Sequence, residues 1–538
     1  EPLCAVANTR RLFATRPAGE LDFLDGMRVL STGYVILGHQ FLFSAFSSSN
    51  VVPAVGDYMR SFEMVMLLGA FSAVDTFFWM SGLLCARAML AEAERREGAA
   101  VDEPVRASLA QAAIAIVHRY ARLTPVYAFA LFTYAYALPL AGSGPLWVGM
   151  QRSADTAYCR EYWWTNLLYV NNVAGEDGRT GTAGCMGWSW YLANDMQFFA
   201  VSALVLPLYP RLPRQVIGVF AVAIATSIIT CGVLSRVHEL EITTLDGAYA
   251  KYVYGMPYCR SGAYAIGALY GIYLHEARRA RRPSAALGLA GSSEHGTGAG
   301  APAREASAVW SIRAHTDAHE HAWRVVLWAA SFATLAGGIV LPWSDLHEGG
   351  LFDHTASVWS QWQKDLYNAL QRPLFAAALC GIAHCFLARR GGIVRELLAA
   401  KAWEPLAKLS YGAYLWHFVL IMWQSYTAIE YPTFSRIDIA IRYVFILVGA
   451  FVISLCSFLL VEKPVMNLEG AFLARALGAP PRGGAGAPKH VASGVANAQL
   501  GEPLIDPVAD HAPLASTDNP FHITVSPGNP FAAPAAAE

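Results

Sequence analysis

Ten stretches of mostly apolar residues recur along this chain, at roughly 28–47, 65–88, 120–140, 188–208, 216–234, 254–275, 325–343, 367–387, 405–426 and 438–461. Each approaches or exceeds the ~20 residues that an α-helix needs to cross the hydrocarbon core of a bilayer. No other feature narrows the available folds so far, because a spanning segment has to satisfy every backbone N–H and C=O internally. The chain is 55% hydrophobic and only 15% charged, too little charge for the surface of a soluble protein of 538 residues. The expected class is therefore all-α: a polytopic transmembrane bundle of about ten spans, in the plasma membrane or an endomembrane. A net charge of −1 provides no basic surface for nucleic acid. The expected partners are membrane lipids and small substrates.

The connections alternate in character. Basic ones contain Arg10, Arg11 and Arg16; Arg95, Arg96 and Arg106; Arg211 and Arg214; Arg278, Arg279, Arg281 and Arg282; then Arg389, Arg390, Arg395 and Lys401. The intervening connections are poorer in cations and richer in aromatics, as in "REYWWTNLLYVNN". The positive-inside rule then puts both termini in the cytoplasm. Residues 1–27 are expected to be a cytoplasmic N-terminal segment, and the start at Glu1 suggests that an upstream domain is missing. Residues 28–470 would form the membrane domain, interrupted by a disordered cytoplasmic linker at 277–322, and 471–538 a disordered cytoplasmic tail. His315, His319 and His321 fall in that linker, where a solvated polar tract outweighs a metal site, and no bound metal is expected. Seven cysteines lie in or beside hydrophobic segments or in the basic N-terminal region, where the default is a small apolar residue. Cys159 and Cys185 instead share one polar loop on the outer side and are expected to form a disulfide.

Ionisable groups inside spans mark function, because each costs at least ~2.5 kcal/mol at the bilayer centre. "MRVLSTGYVILGHQ" sets Arg28 and His39 eleven positions apart. On an α-helix that is nearly three whole turns, so both side chains lie on one face with roughly 16 Å of helix between them. Asp75 falls near mid-depth of the second span, Asn194 and Asp195 in the outer half of the fourth. Arg372 falls in the outer half of the eighth and His417 near the middle of the ninth. Taken together they predict a hydrated cavity lined by two imidazoles, carboxylates and a cation, with Asn194, Asp195 and Arg372 on its acceptor side. Arg119 and Arg122, three apart on one helix face at the cytoplasmic entry of the third span, would join Arg28 in a mouth suited to phosphates. Ordinary positive-inside anchoring competes with that reading, and charge alone favours it.

"FLDGMRVLSTGYVILGHQ" resembles the first helix of the acyltransferase-3 family, whose mark is an Arg or Lys, ten residues, then a His, a spacing that Arg28 and His39 fit. "DTFFWMSGLL" looks like the family's second-helix motif, "HRYARLTPVY" like its third, and "VEKP" at Glu462–Pro464 like its ending. "CMGWSWYLANDMQFF" and "AKLSYGAYLWHFVLI" resemble the animal branch called nose resistant to fluoxetine. That branch normally carries an extracellular cysteine-rich domain upstream, absent from this sequence. The resemblance implies an integral-membrane O-acyltransferase. An acyl-CoA-type donor enters from the cytoplasm, and its acyl group passes to a hydroxyl acceptor reached from the other side. It implies that His39 is the catalytic residue and that Arg28, and less directly Arg119 and Arg122, handle the donor's phosphates. The acyl-CoA is a co-substrate, and no bound cofactor is implied.

An imidazole near its ordinary pKa of ~6.5 can take a hydroxyl proton at neutral pH. Asp75 is the candidate to orient a histidine, and His417 either serves a second proton or holds the acceptor. Ser81 followed by Gly82 reads as helix packing more than as a nucleophile, which favours direct transfer over an acyl-enzyme. The rival reading is a non-catalytic membrane protein that transports or binds lipids or xenobiotics, since a transporter also needs polar groups at mid-depth. The Arg28–His39 pair with further cytoplasmic arginines favours the enzyme.

Overall fold

In the computed structural model the described residues are 4–50, 63–97, 105–175, 181–242, 247–289, 317–349, 358–388 and 391–476, with Tyr58 and Ser61. Among them there is no strand. The principal helices are α1 (Ala5–Phe13), α2 (Phe23–Phe46), α3 (Ala70–Glu97), α4 (Val105–Phe132), α5 (Ala154–Leu167), α6 (Trp190–Val205), α7 (Pro213–Val237), α8 (Pro257–Leu289), α9 (Asp317–Gly349), α10 (Gln361–Leu387), α11 (Trp403–Tyr426), α12 (Arg436–Ser457) and α13 (Lys463–Ala476). The all-α expectation holds.

Helix starts follow local chemistry. Pro213 opens α7 at a position where no N–H is needed. Ser435 caps α12 by accepting from the Asp438 N–H at 3.2 Å. At α10 the Gln363 side chain reaches back to the Ser360 N–H at 2.8 Å, the reciprocal half of a capping box.

The distribution of side chains is inside-out relative to a water-soluble protein. Val222, Ile229 and Val233 of α7 and Ile441, Val448 and Val452 of α12 are exposed, whereas Asp75, Arg260, Asn194, Arg372 and His417 are buried. That pattern suits a bundle that faces lipid outward and gathers its polar groups within. Seven helical segments among the described residues are long and apolar enough to cross a bilayer. All ten stretches read from the sequence lie largely within helices, but α2, α8 and α11 are not among those seven. They are the helices that carry Arg28 and His39, Arg260, and His417, and those polar groups reduce their apolarity.

The interior is organised by close helix pairs, chiefly α3 against α8, with α2 packed on α11 and α3, and α10 on α7, α8 and α9. The α3–α8 approach needs glycine. A methyl at Gly82 would overlap the Tyr264 carbonyl oxygen, and one at Gly267 the Trp79 carbonyl oxygen. Backbone oxygens cannot swing away as side chains can, so these positions set the interhelical distance. Gly82 in "MSGLL" is thus a packing residue, as expected.

Some sequence boundaries shift. Ala and Arg, good helix formers, carry α8 past the expected linker start at 277; the helix runs to Leu289, and α9 begins at Asp317. The rest of the linker, with His315, and residues 477–538 lie outside the described residues. In the connection between α4 and α6, Cys159 of α5 and Cys185 sit at disulfide-bonding distance with Cα atoms 4.8 Å apart.

Candidate active site

The packing of α2 on α11 brings two residues 378 positions apart into contact. His39 Nδ1 lies 2.8 Å from His417 Nε2, and the rings are stacked, 5.0 Å between centroids and 13° from parallel. His417 Nδ1 is 2.5 Å from the Tyr414 carbonyl oxygen. A carbonyl only accepts, so His417 Nδ1 carries a hydrogen. In neutral His417 Nε2 is then the lone-pair nitrogen, and it accepts from His39 Nδ1–H. His39 Nε2 is then the nitrogen that carries the lone pair. The network assigns these tautomers.

Access differs between the two. His417 is fully buried, with both nitrogens engaged, whereas His39 is half-buried. The ring of Phe418 stands edge-on to His39 at 5.6 Å and is itself stacked on Trp188 at 4.5 Å. Tyr414 is fixed by donating its hydroxyl to the Trp188 carbonyl. Aromatic walls therefore hold both imidazoles in register.

Asp75 does not reach either histidine through any hydrogen bond among the described residues. Its two carboxylate oxygens accept from Arg260 Nη1 at 2.8 and 2.9 Å. Arg260 is completely buried, donates Nε to the Tyr254 carbonyl at 2.7 Å and lies over the rings of Tyr254 and Trp190 at 4.6 and 4.9 Å. The role of orienting a histidine thus passes from Asp75 to the Tyr414 carbonyl. The physical reason is that a guanidinium this deep needs a carboxylate more than a neutral imidazole does. Sequence reading missed Arg260. Its signal was a lone arginine at the start of an otherwise apolar run, "MPYCRSGAYAIG".

Arg119 stands one helical turn before Arg122 on α4. There its guanidinium pairs with Asp195, approaches Ser81 Oγ at 3.5 Å and covers the Phe199 ring at 4.3 Å. Asp195 neutralises the charge, which lets an arginine sit mid-helix. Asn194 is committed too: it accepts from Asn172 at 2.5 Å and donates to the Gly255 carbonyl at 2.9 Å.

Arg122 lies within electrostatic reach of Glu462, Arg119 and Arg28, and its Nε has no hydrogen-bond partner among the described residues. Arg28 is half-buried, with Asp25 3.9 Å away. Asp25 also pairs with Arg16, and burial pushes its carboxyl above the ordinary range although Arg28 and Arg16 stand beside it. Arg372 donates Nη2 to the Tyr249 hydroxyl at 2.5 Å. The structure therefore joins His39 to His417, and pairs Asp75 with Arg260, Arg119 with Asp195 and Asn194 with Asn172.

Known proteins resemble the chain over most of its length. A family model described as an acyltransferase domain matches residues 21–460. The chain is similar to nose resistant to fluoxetine protein 6 of Caenorhabditis elegans, with 24% identity over 469 residues, covering 84% of this chain and 51% of that protein. It is also similar to regulator of hypoxia-inducible factor 1 of the same organism, with 24% identity over 281 residues, covering 48% of this chain and 52% of that one. The chain thus spans about half the length of the curated relatives it matches. No solved structure matches it.

Proposed function

We propose, for a chain that belongs to the acyltransferase-3 family, that it is an integral-membrane O-acyltransferase in which His39 is the general base. The acyl donor would be an acyl-CoA-type thioester entering from the cytoplasm, and the acceptor a hydroxyl. The observation that carries the reading is the hydrogen-bond chain from the Tyr414 carbonyl through His417 to His39. It leaves His39 Nε2 with a lone pair, on the more accessible of the two rings.

In that chemistry Nε2 takes the proton of the acceptor hydroxyl as its oxygen attacks the thioester carbonyl. The C–O bond forms, the C–S bond breaks, and the same proton passes from Nε2 to the departing sulfur. His39 is transiently an imidazolium. Its Nδ1–H then points at the His417 lone pair, so the developing positive charge is met by an oriented acceptor without water having to rearrange. A positioned base of this kind contributes roughly 10²- to 10⁴-fold to rate. His417 is a positioning residue, since its own nitrogens are both engaged.

Arg28 and Arg122 would receive the donor's phosphates. Arginine holds phosphate through several fixed donors, and roughly 16 Å of helix separates Arg28 from His39, a distance matched to a long thiol-bearing arm. Around this core we place ten spans, both termini in the cytoplasm and a Cys159–Cys185 disulfide outside. The test is to incubate purified protein with a panel of labelled acyl-CoAs and hydroxyl acceptors. Consumption of one donor with formation of an ester supports the reading. Movement of lipid without any donor consumption would favour a carrier.

A further inference from the structure

The surroundings of Arg372 play no part in the transfer step above, yet their charges do not balance. Arg372 on α10 is 3% exposed. Its Nη2 is used by Tyr249, while Nε and Nη1 have no hydrogen-bond partner among the described residues. The carboxylate that acts on it most strongly is that of Asp75, and Arg260 already holds both oxygens of that group. Among the described residues, two buried guanidiniums thus share one carboxylate. A buried charge without a counter-charge is strongly unfavourable.

Arg372 also borders a small pocket, with Gln371, Tyr249, Ser72, Phe71 and other residues. The Tyr249 hydroxyl accepts from Arg372 and, at 3.4 Å, from Gln371 Nε2, so its own hydrogen is left to donate. Among the described residues, no carboxylate lines the pocket. Its polar character is therefore that of a guanidinium and a hydroxyl offering hydrogens, which suits an oxyanion and rejects a cation.

Its level in the bundle follows from helix packing. A methyl at Gly38 would stand 2.7 Å from the Ala70 side chain, so Ala70 abuts the residue next to His39. Phe71 and Ser72 follow directly, which sets the pocket within about one helical turn of His39 in depth.

We infer that this pocket binds an oxyanion, a carboxylate or phosphate, carried by the acceptor, so that the acceptor is a hydroxyl compound with an anionic group. The link to the acceptor rests on the proposed role of His39; the anion site itself rests on Arg372 and its neighbours. The anion could belong to a soluble hydroxy acid or phosphate ester, or to an anionic lipid with a free headgroup hydroxyl.

Binding is tested apart from catalysis. Delipidated protein in neutral detergent is titrated with inorganic phosphate and with acetate against chloride at constant ionic strength, and thermal unfolding is followed. In parallel, native mass spectrometry compares retention of phosphatidylglycerol and phosphatidylcholine. The expected result is a saturable rise in Tm with an oxyanion, or selective retention of phosphatidylglycerol; the arm that responds identifies the source. Arg372→Gln should lose the response at least tenfold in affinity, Arg372→Lys should keep part of it, and His39→Ala should keep it all. Tyr249→Phe, which retains the charge and loses one donor, serves as the second variant and should weaken binding. Equal responses in the parent and Arg372→Gln, or no response in either arm, overturn the site. If the parent transfers acyl groups equally well to neutral and anionic alcohols, and Arg372→Gln does so unchanged, the acceptor link fails while the transfer reading survives.

Discussion

Asp75→Asn provides a sharp test of how charge is arranged in the core. Asp75 is 1% exposed and Arg260 0%, and two hydrogen bonds of 2.8 and 2.9 Å join them. Removing the carboxylate charge leaves Arg260 and Arg372 both unbalanced, and breaking a buried pair from one side costs about 3–5 kcal/mol. Arg260→Gln should cost less, because Asp75 then still has the Arg372 charge in electrostatic range. The double variant restores the parent's net charge and should recover much of the loss, a favourable coupling of at least about 1 kcal/mol. Denaturant unfolding of the purified protein in detergent gives the three stabilities, and acyl transfer by the double variant gives the function. A stability for Asp75→Asn within about 1 kcal/mol of the parent, with no coupling, would refute the pairing argument. A double variant that folds normally but has lost transfer would return Asp75 to the chemistry.

Non-reducing peptide mass spectrometry should recover Cys159 and Cys185 joined, and their loss should destabilise the protein by about 3 kcal/mol for a closed loop of this size; two free thiols in folded protein would contradict this. Gly82→Ala should lower stability by about 1–3 kcal/mol, because its methyl meets a backbone oxygen of α8. Gly218→Ala, with nothing within 4 Å, should be tolerated in the same unfolding assay. Arg122→Gln should raise the KM for the acyl donor and spare kcat, the signature of lost uniform binding. Arg119→Gln should instead lower stability by leaving Asp195 buried and unpaired, so the two arginines part company when unfolding and kinetics are measured together.

The sequence carried the helical class clearly, because runs of ~20 apolar residues admit few other solutions. His39 and His417 were visible for the same reason: an imidazole in an apolar helix stands out. Pairing was not visible. Whether Asp75 faces a histidine or an arginine depends on the rotation of α3 against α8, which Gly82 and Gly267 set through backbone contacts. The partner of Arg119 was hidden in the same way: Asp195 meets its charge from another helix. Arg260 escaped notice because it opens its run and so resembles an anchor. Its burial depends on Asp75, 185 positions away. Each of these misses concerns a partner supplied by tertiary structure.

The most direct test of the central claim is single-turnover acyl transfer by His39→Ala at saturating donor, compared with the parent. Alanine removes Nε2 without adding a polar group, so folding and donor binding should remain near those of the parent. Transfer should fall by roughly 10²- to 10⁴-fold. Retention of transfer within a few-fold of the parent would contradict the assignment of His39 as the base.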